Sequence, residues 1–138
     1  YQIVQKDSDG FSIFKGIIGP DEILITAPYN LQVNRLEDRL SGKARIGTVD
    51  RFQGQEAPIV ILSMSVSDAS ESPRGWEFLF SKNRLNVAIS RAQSAAIIFA
   101  SPNLISTSVN TLKQMQLINF YSRIKEKGKN STIINFIN

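Results

Sequence analysis

Short apolar runs of strand length, set apart by stretches with helical spacing, narrow the folds open to this chain. Ile23-Leu24-Ile25-Thr26-Ala27 is a continuous apolar run of the kind found in strands covered on both faces, and Pro28 ends it. Residues 30–40 predict a helix, with Tyr29, Val33, Leu36 and Leu40 on one stripe and Gly42 just past the end. Residues 44–49, 59–66 and 95–100 predict three more strands. A helix pattern over 83–92 precedes the last of them. Buried-type strands in this order predict an α/β fold: a parallel sheet with helices on both faces.

The 83–92 helix is the part with chemistry to offer. Leu85, Ala88, Ile89 and Ala92 repeat at the spacing of one buried face. Arg84 and Arg91 are seven residues apart, so they share a second face beside it. Two fixed guanidinium groups suit a planar anion such as phosphate or carboxylate. Upstream, Thr48-Val49-Asp50-Arg51-Phe52-Gln53-Gly54-Gln55-Glu56 reads as a turn with a glycine and a carboxylate.

Composition closes off several chemistries. The chain has neither Cys nor His, which excludes disulfides, thiolate catalysis, a Cys/His zinc site and histidine bases, and no metal site is expected. No GxxxxGK[ST] loop is present, so the lysine and Mg²⁺-binding hydroxyl of an ATPase are not in this sequence. The longest apolar run is far too short to span a membrane, and the expectation is a cytoplasmic protein. At 138 residues the chain reads as a single domain, 1–138, and its start at Tyr1 reads as a piece of something longer. Residues 1–20 form a poorly patterned lead-in, in which Asp9-Gly10 signals either a hairpin turn or a loop remnant. Residues 107–127 predict one long helix with a stripe of Leu117, Phe120, Tyr121 and Ile124, stopped by Gly128. Residues 133–137 predict a final strand or an edge segment. Residues 105–138 hold the whole formal charge of +4, with Lys113, Arg123, Lys125, Lys127 and Lys129 against Glu126 alone. Such a basic tail suits either nucleic acid or the C-terminal end of its own helix.

Three segments together resemble one family. "GTVDRFQGQE" resembles motif V of superfamily 1 helicases, "NRLNVAISRA" resembles their motif VI, and "ITAPYNLQ" at 25–32 resembles motif IV. The resemblance covers about residues 20–104. It is closest to the second RecA-like domain of proteins that unite a RecB-like nuclease with a helicase, and the loop "SPRGWEFLFSKNR" looks like that subgroup. Only a short stretch separates motif IV from motif V, which is similar to the compact 5′-to-3′ branch. The resemblance implies the P-loop NTPase fold in its second-domain form, without a P-loop of its own.

The same resemblance implies roles for particular residues. Arg91 matches the arginine that reaches the γ-phosphate of ATP held, with Mg²⁺, mainly by a first RecA-like domain of the same chain. The plain alternative is an ion pair with Glu56, Asp50 or Glu77. Glu56 and Gly54 match motif V positions near the nucleotide; the alternatives are a surface acid and a turn glycine. Tyr29 matches a motif IV tyrosine near the adenine, or is a core residue, and Gln32 matches the motif glutamine. Many relatives carry Arg after that tyrosine, where this chain has Asn30. Thr48 and Val49 match positions that meet single-stranded nucleic acid. Arg84 either serves that strand or braces Asp50. Trp76, beside Arg74, either stacks on a base or packs. The function implied is the C-terminal motor domain of an ATP-dependent DNA helicase, inactive alone as an ATPase. Its partners would be single-stranded DNA, with RNA as the other candidate, and a fused RecB-like nuclease. The alternative is a nucleic-acid-binding or adaptor domain whose motor is degenerate.

Overall fold

The computed structural model of the protein describes residues 2–6, 12–106 and 108–128. The backbone groups into two compact units, Tyr1–Ser65 with Asn83–Ala100, and Val66–Lys82 with Ser101–Asn138.

The first unit holds two sheets. Strands β1 (Gln2–Lys6) and β2 (Ser12–Ile17) pair antiparallel, which takes the hairpin alternative for the lead-in; Asp9-Gly10 itself lies outside the described residues. The second sheet is β3 (Ile23–Thr26), β4 (Arg45–Gly47), β5 (Ala57–Ser63) and β6 (Ala92–Phe99), in the order β4-β3-β5-β6 and parallel throughout. This is the RecA-like α/β architecture. Alternation along the strands separates two apolar faces. Ile25 and Ile46 pack with Val33 of α1 (Asn30–Leu40), joined by Ile23, Ile61, Leu36 and Leu40. Leu24 and Val60 point the other way and pack with Phe52, Ala57 and Ala92.

The observed elements shift some boundaries. The strand expected over 44–49 stops at Gly47, because Thr48 and Val49 turn into the 3-10 turn Asp50–Phe52 that brings Phe52 under the sheet. Gly47 is required there. A Cβ at this position would lie 2.7 Å from Arg51 Cδ and 2.9 Å from Phe52 Cε2, so any side chain collides with the ring that fills the core. Gly47→Ala is therefore expected to cost about 1–3 kcal/mol of stability by overpacking. Urea unfolding of the chain checks this, and a loss under about 0.5 kcal/mol, inside the range of an ordinary surface change, would show that the ring moves freely. Helix α3 (Lys82–Ser90) also ends earlier than expected. Leu85 and Ala88 are buried as the stripe predicts, but Ala92 already belongs to β6, and Arg91 lies between helix and strand rather than on a helical face.

The second unit is helical. The loop before α3 folds into a 3-10 turn at Ala69–Glu71 and a four-residue helix α2 (Trp76–Leu79). Asp68 caps that turn, accepting from Ser70 N at 2.7 Å and Ser70 Oγ at 2.6 Å. The side-chain and backbone bonds from Ser70 hold its carboxyl below the usual range. A four-residue helix, α4 (Asn103–Ser106), precedes the span 107–127, and the helix expected there begins only at Leu112, as α5 (Leu112–Lys127). Its start is fixed at Thr111, whose side chain accepts from Gln114 N at 3.2 Å while Gln114 Oε1 accepts from Thr111 N at 3.2 Å. That reciprocal cap satisfies helix-end donors and ends any continuation upstream. Leu117 and Tyr121 are buried on the predicted stripe, and burial pushes the Tyr121 phenol up to about 12. Lys113 pairs with Glu77 at 2.6 Å on the surface. The segment 133–137 lies outside the described residues, as does Lys129. Among the described residues no helix is long and apolar enough to cross a membrane.

Candidate functional site

The segment 48–56 runs the length of the sheet, from the C-terminal end of β4 to the N-terminal end of β5. Each arginine of the motif VI segment grips one end of it. Arg84, near the start of α3, donates from Nη2 to Asp50 Oδ2 at 3.0 Å, so the bracing alternative is realised. Arg91, past the end of α3, donates from Nη1 to Phe52 O and to Gln55 O, the latter at 3.0 Å. The ion pairs considered for Arg91 with Glu56, Asp50 or Glu77 do not form among the described residues; backbone carbonyls take their place.

Arg91 is 7% exposed, and the hydrogen bonds of its side chain among the described residues run through Nη1. Its Nε is buried without an acceptor. A guanidinium presents donors as a planar fork, and here one corner is anchored while the edge holding Nε and Nη2 stays uncommitted. A buried donor left unsatisfied costs about 1–3 kcal/mol. An anion bonded to that edge would remove the cost.

The loop 53–56 beneath it is exposed at every residue. Gly54 has φ +77° with open space where a Cβ would point, so the glycine is there for its backbone conformation and not for close packing within the chain. Glu56 Oε2 accepts from Gln93 Nε2 at 3.3 Å. Arg45, at the start of β4, donates from Nη1 to Gln55 Oε1 and from Nη2 to Glu56 O, both at 3.0 Å. Neither Arg45 nor Gln93 stood out in the sequence. Nothing in their spacing marks them, because their link to residues 55 and 56 exists only once the strands are paired.

Tyr29, Gln32 and Thr48 gather at the other end of the sheet. Ala27 N bonds Gly47 O at 3.2 Å, which sets the starts of the motif IV and motif V loops side by side. Tyr29 is the half-buried residue before α1, its carbonyl accepting from Gln32 N and Val33 N at 3.1 Å each. Gln32 Nε2 reaches Ser63 Oγ, at the end of β5, at 3.5 Å. Ser65 adopts φ 67° nearby, a strained conformation for a residue with a side chain. Thr48 is half-buried, and the Val49 side chain is in the core, leaving only its backbone for a ligand. The seven residues of β5 put about 20 Å between this end and the Gly54–Glu56–Arg91 end. The structure therefore brings together Gly54, Glu56 and Arg91, and separately Tyr29, Gln32 and Thr48. Trp76 belongs to the second unit, half-buried, with its ring 5.9 Å from that of Phe80. Arg74 stacks over Phe78 rather than beside Trp76, 4.8 Å from the ring centroid. Among the described residues no cluster of acidic side chains could hold a metal ion.

Comparison with known proteins adds to this geometry. Residues 4–103 match a family model described as an AAA domain. The chain is similar to the probable RNA helicase armi of Drosophila melanogaster, 35% identical over 104 residues, 69% of this chain and 9% of that protein. It is 31% identical over 126 residues to the ATP-dependent helicase NAM7 of Saccharomyces cerevisiae, 84% of this chain and 12% of that one. With the Bos taurus DNA replication ATP-dependent helicase/nuclease DNA2 the identity is 39% over 83 residues, 57% of this chain and 8% of that protein. The chain thus spans about a tenth of the length of these relatives.

Proposed function

We infer the function from the premise that this chain belongs to the AAA-domain family of superfamily 1 helicases. It is the second, C-terminal RecA-like motor domain of a longer ATP-dependent helicase. ATP, with Mg²⁺, is held mainly by a first RecA-like domain, and this domain closes over it with the Gly54–Glu56–Arg91 end of its sheet. The observation that carries this reading is Arg91: a buried arginine, anchored through Nη1, whose Nε has no acceptor among the described residues. Charge that builds on phosphoryl oxygens in the transition state is what such a donor stabilises. Glu56 and the open backbone at Gly54 contact the nucleotide beside it.

The opposite sheet end grips a single strand of nucleic acid without reading its bases. Thr48 offers a hydroxyl and Val49 a backbone N–H to phosphates. Tyr29 and Gln32 go with them, because about 20 Å of strand separates them from Arg91. Arg84 serves this end indirectly, through Asp50. Trp76 is a packing residue. One segment, 48–56, joins the two ends, so closure on ATP shifts the grip on the strand. The direct run from α1 to β4, Leu40 to Arg45, leaves no room for an inserted domain and supports the compact 5′-to-3′ branch. A nuclease module, as in the helicase/nuclease relative, is one architecture for the parent protein.

The test is ATP hydrolysis by the full-length protein with and without single-stranded DNA or RNA, beside the 138-residue chain alone. The expectation is strand-stimulated turnover in the first and none in the second. A full-length protein that binds strands but never hydrolyses ATP would instead be an adaptor built on a degenerate motor.

A further inference from the structure

We propose that Arg45 is a positioning residue for ATP: it holds the loop 53–56 in the shape that the nucleotide meets. The inference rests on the function proposed above. Loop 53–56 is exposed and hangs between two fixed points, Phe52 in the core and Ala57 at the start of β5. Its shape depends on a few bonds. Gln55 N bonds Phe52 O at 3.0 Å, and Arg91 takes the carbonyls of Phe52 and Gln55. Neither of these fixes the Gln55 side chain or the Glu56 carbonyl. Arg45 fixes both, one with each terminal nitrogen.

Arg45 suits this task because its backbone does not move with the loop. It is the first residue of β4 and is held in register with Leu24 of β3. Two donors on one planar group then hold the Gln55 side chain and the Glu56 carbonyl in a fixed relation to each other. Arg91 holds the same loop through different acceptors, the carbonyls of Phe52 and Gln55, so the loop is clamped by two guanidinium groups that share no acceptor atom. Arg91 faces the reacting phosphate in the function proposed, whereas Arg45 touches only the loop. Its removal should therefore weaken nucleotide binding in the ground and transition states alike, and leave the chemical step alone.

The experiment is steady-state ATP hydrolysis by the full-length protein with saturating single strand, for wild type, Arg45→Ala, Arg45→Lys and Arg91→Ala, together with thermal unfolding of each. Arg45→Ala is expected to raise KM for ATP about 10-fold with kcat within about 3-fold of wild type, and with little change in Tm. Arg45→Lys, which keeps a single donor group and loses the fork, should fall between wild type and alanine. Adding Gln55→Ala to Arg45→Ala should raise KM little further, because both changes remove the same bond. Unchanged KM and kcat in Arg45→Ala, with Arg91→Ala inactive, would overturn the role of Arg45 and leave the motor reading standing. A matched fall in activity and Tm would overturn it in favour of a purely structural arginine. A wild type without ATPase defeats the motor reading itself, and the role of Arg45 with it.

Discussion

Arg91→Ala is expected to lower strand-stimulated ATP hydrolysis of the full-length protein by about 10³-fold or more in kcat, roughly 4 kcal/mol of transition-state stabilisation. The loss should fall on kcat rather than KM, because in the function proposed the charge that this side chain meets is largest in the transition state. Arg91 also has a structural share. Its removal strips the Phe52 and Gln55 carbonyls of a buried donor, which costs about 1–3 kcal/mol in stability. Arg91→Lys separates the two effects. A lysine can still donate to those carbonyls but offers no second edge, so it should recover much of the stability and little of the rate. If the folded Arg91→Ala protein keeps kcat within about 10-fold of wild type, the guanidinium is a clamp on the loop and another group meets the phosphate.

The largest effect on stability is expected at Phe80, in the second unit. Phe80 is fully buried, with its ring 5.9 Å from that of Trp76 and 5.4 Å, edge-on, from that of Tyr121. Helix α2 has only four residues, too few to hold a helical turn on propensity alone. Side-chain burial must hold it against α5. Phe80→Ala removes the central ring of that cluster and is expected to cost about 3–5 kcal/mol, including about 0.5–1.5 kcal/mol for each aromatic pair. Phe80→Leu should cost less than half as much, because it keeps most of the volume. Denaturant unfolding followed by Trp76 fluorescence reads both, since the only tryptophan is itself in the cluster. A Phe80→Ala loss below about 1 kcal/mol, typical of an average site, would mean that α2 is held by other contacts.

The sequence by itself determined the sheet. Apolar runs at 23–27 and 59–66 became the inner strands β3 and β5 of a parallel sheet, with boundaries moved by a few residues, whereas the run at 95–100 became β6 at the sheet edge, where Ala95, Ala96, Ile97 and Phe99 are exposed rather than covered on both faces. Helix α1 occupies the residues that its stripe marked, because a 3.6-residue repeat of Val33, Leu36 and Leu40 leaves one face to bury. Gly54 was legible as a backbone need that its positive φ satisfies.

Tertiary structure decided the rest, for reasons of distance. Local pattern cannot tell which strand end a residue will occupy, so Tyr29 and Gln32 could be grouped with Glu56 until β5 set them about 20 Å apart. The helix expected over 107–127 starts only at Leu112, because the reciprocal cap of Thr111 and Gln114 sets its first turn. Arg45 looks like any strand-edge cation in the sequence. Its place on Gln55 and Glu56 comes from the register of β4 on β3 and the return of the chain through Phe52. Arg84 and Arg91 were visible as a pair. That one braces a carboxylate while the other is buried against carbonyls follows from where the intervening segment crosses the sheet, and side-chain spacing along a helix holds no record of that path.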